Sequence, residues 1–438
     1  MLKNLFVHAS RYFTASIFSV ILSLLLTKFY TTQFSVADFG VMSLYMMVMQ
    51  TVALVSTLSI SSSALRVYSD YRDVNRDKYI SCMLLFIILI SLTVLVSSIA
   101  ISDVISSWIS PNSRTLFIVV IVVGVILGVN EFFKGIITLE EQSSVLLHGV
   151  IVSKGVGALT SVSLQLVLNL GVLSRFSGEI SAGLINFFYY TVGLKRNIGF
   201  KFQLYINAKM VKETLFLAIP NLITILMSLA YSFVDRIFIK YFYDNDAVGI
   251  YSFSLMVGQL ATVFVGAVSQ AVMARVYNCL REGRSIVEIE RIDAFFQMFL
   301  VACLTVLIYL SDYIIIILAD QKYNESQVLF PYVLMGVFLG SIYKLPSIVL
   351  NYNKKVWIYP WVSLLSFAIN FALNFMLVPV FGVEGAAIST LISVFVYSAI
   401  ICFLSRKYFS LLYVSTLFVV LFFSGLIIYF GIVPVVFL

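Results

Sequence analysis

Several charged side chains lie inside long apolar stretches of this sequence or at their ends, where a charge is rare and costly. Five cations are the candidates for a site: Arg236 and Lys154 within such stretches, and Arg66, Arg275 and Lys28 near their ends. A charge inside an apolar stretch faces a partner or water, and such residues commonly mark the path of a substrate or an ion. Because cations outnumber acids at these positions, we expect them to surround a hydrated cavity that attracts anions.

Other polar residues recur at helical spacing within the same stretches. The positions that we assign to the cavity wall are Asn221, Ser228, Asp235, Gln259, Asn370 and Asn374. Residues three or four apart lie on one face of a helix, so these positions predict polar stripes. The structural alternative is that the stripes hold neighbouring helices together by hydrogen bonds.

The cations also have structural interpretations. A cation near the end of a span extends its charged group to the lipid headgroups. Under this interpretation Arg66 and Arg275 only mark the inner ends of two helices. Asp235 and Arg236 are adjacent and cannot pair on one helical face, so each needs a partner elsewhere, such as Glu131 for Arg236.

The composition determines what kind of protein holds these residues. Of the 438 residues, 61% are hydrophobic and 11% are charged, and the mean hydropathy is +1.03. The surface of a soluble domain needs roughly 25% charged residues. A soluble enzyme, a nucleic-acid-binding domain and a disordered protein are therefore excluded, and the sequence predicts an all-α polytopic membrane protein.

Apolar windows of about 20 residues predict twelve core transmembrane helices. The windows are 12–32, 40–63, 79–102, 115–138, 145–170, 176–194, 214–240, 248–274, 294–318, 328–352, 356–379 and 383–405. They predict two six-helix lobes, residues 1–194 and 214–405, that are joined by a cytoplasmic linker at 195–213. Residues 406–438 add one C-terminal helix, at 411–431, in this interpretation.

The distribution of lysine and arginine indicates the orientation. With a cytoplasmic N-terminus, 22 of the 28 basic residues lie on the inside, 5 lie on the outside, and Arg236 lies within a span. Cytoplasmic loops carry the excess of basic residues. We therefore expect a multi-pass protein of the cytoplasmic membrane whose N-terminus is cytoplasmic.

The two halves resemble each other. Gly40–Arg72 aligns without a gap on Gly249–Arg281, at an offset of 209, with nine identities that include Arg66 and Arg275. Six helices per half preserve the orientation, so the repeats are parallel. This arrangement predicts two lobes around a central cavity and a mechanism of alternating access.

The remaining motifs indicate packing rather than chemistry. The four cysteines show no CxxC spacing and the two histidines lie far apart, so we expect neither a metal site nor a disulfide framework. GxxxG occurs at Gly124–Gly128 and at Gly336–Gly340. Both motifs predict close contacts between helices.

The most distinctive motif is the run from Asn370 to Ala387. It contains Asn370 and Asn374 on one helical face, followed by Pro379, Gly382 and Gly385, which predict the end of a helix and a tight turn. The run resembles the N-xxx-N-xx-L-x-P-xx-G-xx-G-A-A signature of the polysaccharide flippase family. This family is a branch of the multidrug/oligosaccharidyl-lipid/polysaccharide exporter superfamily.

Two further stretches carry the same resemblance. They are Phe34–Gly40, and Asp235–Phe242 followed by Val248–Tyr251. Together the three motifs touch both halves, so the resemblance covers about residues 1–405.

The resemblance implies a transporter and not an enzyme. Its substrate would be an undecaprenyl-diphosphate-linked repeat unit, moved from the inner to the outer leaflet of a bacterial inner membrane for O-antigen or capsule synthesis. The implied partners are this glycan lipid, membrane lipids and the polysaccharide polymerase machinery, with no nucleic acid and no cofactor. Coupling to a proton or a sodium ion is left open.

Two alternatives come from the same superfamily. A multidrug cation antiporter is expected to hold acids in its cavity, and the candidates here are Glu131, Asp235 and Glu384. A peptidoglycan-precursor flippase carries two further C-terminal helices. Only 33 residues follow Ser405, and two spans need about 40.

Overall fold

The computed structural model describes residues 2–72, 74–282, 286–355 and 357–407, and all regular secondary structure within them is helical. The helices are α1 (Leu2–Gln33), α2 (Val36–Thr57), α3 (Ile60–Tyr71), α4 (Arg76–Ala100), α5 (Ser102–Ile109), α6 (Arg114–Leu139), α7 (Ser143–Leu168), α8 (Val172–Ile198), α9 (Ala208–Phe242), α10 (Asn245–Arg281), α11 (Ile286–Tyr309), α12 (Ser311–Leu318), α13 (Phe330–Ile342), α14 (Lys344–Tyr352) and α15 (Ile358–Ser405). A 3₁₀ segment covers Gln321–Leu329.

These helices confirm the predicted all-α polytopic fold. Within the described residues, nine stretches are long and apolar enough to cross a membrane. Helices α8, with 27 residues, and α10, with 37 residues, also have the length of a span. The predicted C-terminal helix at 411–431 lies outside the described residues.

Helix α15 accounts for two of the predicted spans. Its 48 residues would extend about 72 Å if straight, more than twice the thickness of a hydrocarbon core. The helix bends at Gly382, where φ is 57° and ψ is −134°, three residues after Pro379. A Cβ at Gly385 would lie 2.4 Å from the carbonyl oxygen of Leu377, so this tight turn requires glycine.

The predicted second span, 40–63, is wrong as a single helix. Helix α2 ends at Thr57, because Leu58 and Ser59 adopt left-handed conformations with φ of 47° and 59°. Neither residue is a helix breaker, and the break is stabilised from outside by Asn221, whose Nδ2 donates to Ser59 Oγ at 2.8 Å. Helix α3 therefore follows as a separate, amphipathic element.

The linker after α8 is shorter than predicted, because α8 extends to Ile198 and α9 begins at Ala208. The residues between them lie along the first turns of α4. The backbone N–H of Lys201 donates to Asp77 Oδ2 at 3.1 Å, and that of Gln203 donates to Ser81 Oγ at 3.0 Å. The linker is thus an ordered segment that is hydrogen-bonded to α4.

The chain divides into two compact units. Unit 1 comprises Met1–Phe233 with Leu318–Asp320, and unit 2 comprises Val234–Ile317 with Gln321–Leu438. Helix α9 contributes to both units. The proposed lobe boundaries at 194 and 214 stay a prediction.

Only one of the two GxxxG motifs is a close-packing site. A Cβ at Gly128 would lie 2.7 Å from Ser56 Oγ, and one at Gly124 would lie 2.8 Å from the carbonyl oxygen of Met49. Helices α2 and α6 therefore pack backbone to backbone. The prediction is wrong for Gly336, whose Cβ would meet no atom within 4 Å.

Candidate anion-binding site

Unit 1 contains a cavity of about 210 Å³ between α1, α7 and α8. Its polar lining comes from all three helices and comprises Ser19, Ser23, Tyr30, Lys154, Arg175 and Glu179. The rest of the wall is apolar or small, and comprises Leu22, Leu26, Gly157, Ala158, Gly178 and Ala182. A concave site with a few convergent polar groups is the usual form of a ligand site.

Two glycines bring α7 and α8 together at this cavity. A Cβ at Gly178 would lie 2.5 Å from the carbonyl oxygen of Gly157, and a Cβ at Gly157 would lie 2.8 Å from that of Gly178. Such distances are shorter than any real contact, so the two backbones touch only because neither residue carries a side chain. The contact places Lys154, one turn before Gly157, beside Glu179, which follows Gly178.

Glu179 lies between two cations. Its Oε1 accepts a hydrogen bond from Arg175 Nη1 at 2.6 Å, and its Oε2 lies 3.8 Å from Lys154 Nζ. The side chains of Glu179, Arg175 and Lys154 are 9%, 18% and 44% exposed, respectively. Two cations with one carboxylate leave one net positive charge, and the most exposed of the three groups is a cation.

Tyr30 also contacts Arg175. The guanidinium carbon of Arg175 lies 5.7 Å from the centre of the Tyr30 ring, within the range of a cation–π interaction. The hydroxyl groups of Tyr30 and Ser161 are hydrogen-bonded at 2.5 Å. Arg175 is therefore a fixed donor with a planar fork, whereas Lys154 is a flexible point charge.

Of the five cations predicted from the sequence, Lys154 is the one that lines this cavity. In unit 1, Lys28 Nζ donates to the carbonyl oxygen of Ala319 at 2.6 Å. Arg66 is exposed and forms an ion pair with Asp70 at 3.1 Å.

The other two predicted cations belong to unit 2. Arg275 forms an ion pair with Glu288 at 3.2 Å. Arg236 is buried. A role of these two arginines, and of Arg66 and Lys28, in substrate binding stays a prediction.

Three of the predicted polar residues are buried together in unit 2. Asn374 Nδ2 donates to Asp235 Oδ1 at 2.8 Å, and Asn374 also donates to the carbonyl oxygen of Asn370. Asp235 Oδ2 accepts from Tyr251 Oη at 2.6 Å and from Thr390 Oγ1 at 2.5 Å. Asp235, Asn370 and Asn374 are thus buried and bond to their neighbours, as the structural alternative expects.

The remaining predicted polar residues lie apart from this cluster. Asn221 stabilises the break between α2 and α3 through Ser59. Ser228 and Gln259 are exposed on α9 and α10, respectively. A role of any of these three in binding stays a prediction.

Sequence reasoning missed Arg175, Glu179 and Tyr30. Arg175 is one of the five basic residues that the sequence places on the outside, just before the predicted span 176–194, but α8 begins at Val172 and includes it. Its spacing of four residues from Glu179, at the start of a predicted span, is the signal that could have identified both. The pairing of Glu179 with Lys154 has no such signal, because it depends on how α7 and α8 pack.

The fold defines a class: a polytopic helical membrane protein whose fold matches that of transporters of the multidrug/oligosaccharidyl-lipid/polysaccharide exporter superfamily. The similar solved structures include the lipid II flippase MurJ in an inward closed conformation, with a TM-score of 0.75 and 17% identity, covering 96% of this chain and 92% of that one. An inward-facing multidrug resistance MATE transporter has a TM-score of 0.67 and 14% identity, covering 89% and 94%.

A transporter of the same superfamily from Pyrococcus furiosus, described as having a binding pocket of reverse polarity, has a TM-score of 0.60 and 14% identity, covering 93% and 96%. A comparison with curated protein sequences finds no match. Residues 1–274 match the family of polysaccharide biosynthesis proteins, and the chain belongs to that family. The resemblance that the sequence motifs predict is thereby confirmed.

Proposed function

We propose that this protein is a flippase that moves an undecaprenyl-diphosphate-linked saccharide from the inner to the outer leaflet of a bacterial inner membrane. The observation that carries the proposal is the cavity of unit 1, in which Arg175 and Lys154 flank a single carboxylate, Glu179. Its net positive charge suits the diphosphate of a lipid-linked saccharide. Membership in a family of polysaccharide biosynthesis proteins supports the same substrate class.

The physical problem of such transport is the polar part of the lipid. Polar groups that lose water without gaining hydrogen bonds cost several kcal/mol each. Arg175 offers a bidentate fork to phosphate oxygens, and Lys154 offers a mobile ammonium group. Ser19 and Ser23 add hydroxyl groups to the same wall. The polyprenyl tail has no need of the cavity, because hydrocarbon already solvates it.

The direction of transport is consistent with the membrane potential. The cytoplasmic side of the membrane is negative, so an anion that moves outward gains about 2.3 kcal/mol of free energy per charge per 100 mV. Use of the product for O-antigen or capsule, and contact with the polymerase machinery, follow from the proposed substrate.

Export of cationic drugs, the alternative from the same superfamily, is disfavoured by the charges at this site. Glu179 is the acid of the cavity, and two cations neutralise it. A cationic drug would have to displace both of them.

The test is replacement of the two cations in a strain that depends on this gene for its surface glycan. We expect Lys154→Gln and Arg175→Gln to abolish surface glycan, while lipid-linked units accumulate in the inner leaflet. Lys134→Gln is the matched control, since Lys134 is a cation of α6 that pairs with Glu131 at 3.0 Å outside the cavity. Normal surface glycan in the Lys154→Gln, Arg175→Gln double variant, at normal abundance of the protein, would overturn the proposal.

A further inference from the structure

We infer that Glu179 is an internal counter-anion that occupies the phosphate position of the empty site and returns to that position to release the substrate. This inference rests on the proposed function and concerns its least expected residue. A site for an anionic headgroup has no need of a carboxylate, yet one lies at the centre of its two cations.

The carboxylate of Glu179 contacts both cations at once, as a bound anion would. One oxygen of Glu179 contacts Arg175 and the other faces Lys154, so that the carboxylate bridges the two cations as two phosphate oxygens would. The side chain of Glu179 is nearly buried, whereas that of Lys154 is the most exposed of the three. An incoming anion therefore meets Lys154 first and replaces Glu179 there.

The charges explain why the bridge is needed. Without Glu179, two cations would face each other in a medium of low dielectric constant, where like charges repel strongly. With both Glu179 and a diphosphate bound to them, negative charge would exceed positive charge. The carboxylate and the diphosphate therefore compete for the same two cations.

This competition determines how tightly the site binds the diphosphate of the substrate. A transport site must bind its substrate strongly enough to admit it and weakly enough to release it. A tethered carboxylate lowers the affinity for the diphosphate, and its return to Lys154 and Arg175 completes release. Glu179 is thus a positioning and release residue rather than a ligand of the substrate.

The first test measures binding and transport in the same variants. The full chain is purified, and farnesyl diphosphate is titrated as the probe. We expect Glu179→Gln to bind it about tenfold more tightly than wild type, which corresponds to about 1.4 kcal/mol. Translocation of lipid-linked saccharide in vesicles is expected to fall severalfold, because release becomes slow. Glu131→Gln, which neutralises an acid of α6 outside the cavity, is expected to change neither quantity.

The second test guards against a variant that folds poorly. Glu179→Gln leaves Arg175 and Lys154 without their counter-ion, so we expect it to melt at a lower temperature than wild type. Farnesyl diphosphate should then raise its melting temperature more than that of wild type, because the probe replaces the missing anion. Glu179→Asp keeps the charge and is expected to retain an affinity near that of wild type.

The outcomes separate this inference from the proposed function. If Glu179→Gln binds the probe equally or more weakly, or if the probe fails to restore its stability, the counter-anion role is overturned. If Lys154→Gln and Arg175→Gln nevertheless weaken binding, the proposed function stands. If no variant of the three residues changes binding or transport, the cavity is not the substrate site and both fail.

Discussion

The two units each bury a carboxylate among polar partners, but the partners differ in kind. Asp235 in unit 2 accepts hydrogen bonds from three neutral donors, the side chains of Tyr251, Asn374 and Thr390. Glu179 in unit 1 is flanked by two cations, and one of them is 44% exposed beside a cavity. We call the Asp235 cluster closed, because its carboxylate is buried and hydrogen-bonded to these donors, and the Glu179 cluster open, because it lines a cavity.

This difference indicates two roles for polar residues in a membrane-spanning bundle. Neutral donors with fixed geometry saturate the carboxylate of Asp235, and they connect α9 to α10 and to both arms of α15. Such a cluster fixes helices, because any loosening leaves buried donors without partners. The cations around Glu179 leave a net positive charge beside the cavity, which is the arrangement that our proposed exchange of one anion for another requires.

The largest expected effect is the loss of the closed cluster. Asp235→Ala leaves the donors of Tyr251, Asn374 and Thr390 without their acceptor, at a cost of roughly 1–3 kcal/mol for each unsatisfied group. We expect strongly reduced abundance in the membrane and a much lower melting temperature in detergent. The exposed Asp246→Asn serves as the control. A stable, abundant Asp235→Ala that fails only in transport would show that the cluster is functional and would break the comparison.

The next effect concerns the glycines that build the open cluster. In Gly178→Ala the new methyl group would overlap the carbonyl oxygen of Gly157, so α7 and α8 must separate. We expect a loss of about 1–3 kcal/mol in stability and weaker binding of farnesyl diphosphate, measured by melting and by titration.

Gly336→Ala is the matched control for Gly178→Ala. Its Cβ meets no atom within 4 Å, and alanine favours a helix interior, so we expect equal or slightly higher stability. Equal behaviour of the two variants would contradict the assignment of Gly178 to a tight contact.

A change confined to the charge geometry is expected to have a smaller effect. Arg175→Lys keeps the positive charge but loses the planar fork, and we expect transport to fall about threefold, against about tenfold or more for Arg175→Gln. Both proteins should retain near-normal abundance, in contrast to Asp235→Ala. If the lysine and glutamine variants lose transport equally, the fork rather than the field determines binding.

The smallest expected effect is a change in the pH dependence of stability. It comes from a third carboxylate, Glu140, which lies between α6 and α7 outside the predicted spans. Its side chain accepts hydrogen bonds from Tyr68 at 2.5 Å and from Arg72 at 3.0 and 3.1 Å. Burial alone would raise the pKa of Glu140, but these hydrogen bonds and the charge of Arg72 lower it below the ordinary value.

Because the folded pKa of Glu140 is lowered, the stabilisation is present above the ordinary pKa of glutamate. It is lost as the pH falls through the folded value. We expect the melting temperature of wild type to fall with acidification in this range slightly more than that of Glu140→Gln. If the melting temperatures of the two proteins fell equally with pH, the hydrogen bonds of Tyr68 and Arg72 to Glu140 would not stabilise the fold, and the prediction would be wrong.

The sequence predicted the class, the helices and the family, because these depend on local composition and on short motifs. Apolar windows locate spans wherever a chain must satisfy its backbone inside hydrocarbon. The spacing of Asn370 and Asn374 placed both on one face, and the structure shows that this face bonds to Asp235. The sequence also places the charge of Lys154 within a predicted span.

Only the tertiary structure decided which polar residues meet. Asn374 and Asp235 are 139 positions apart, and Lys154 reaches Glu179 on another helix. The break at Leu58 and Ser59 contains neither glycine nor proline, and its stabilising partner comes from α9. Helical periodicity predicts which residues share one face of a helix. Which residues of another helix that face contacts depends on how closely the backbones of the two helices approach. In unit 1 that distance depends on the contact of Gly157 with Gly178, which brings Lys154 and Glu179 of the candidate site together although the sequence keeps them apart.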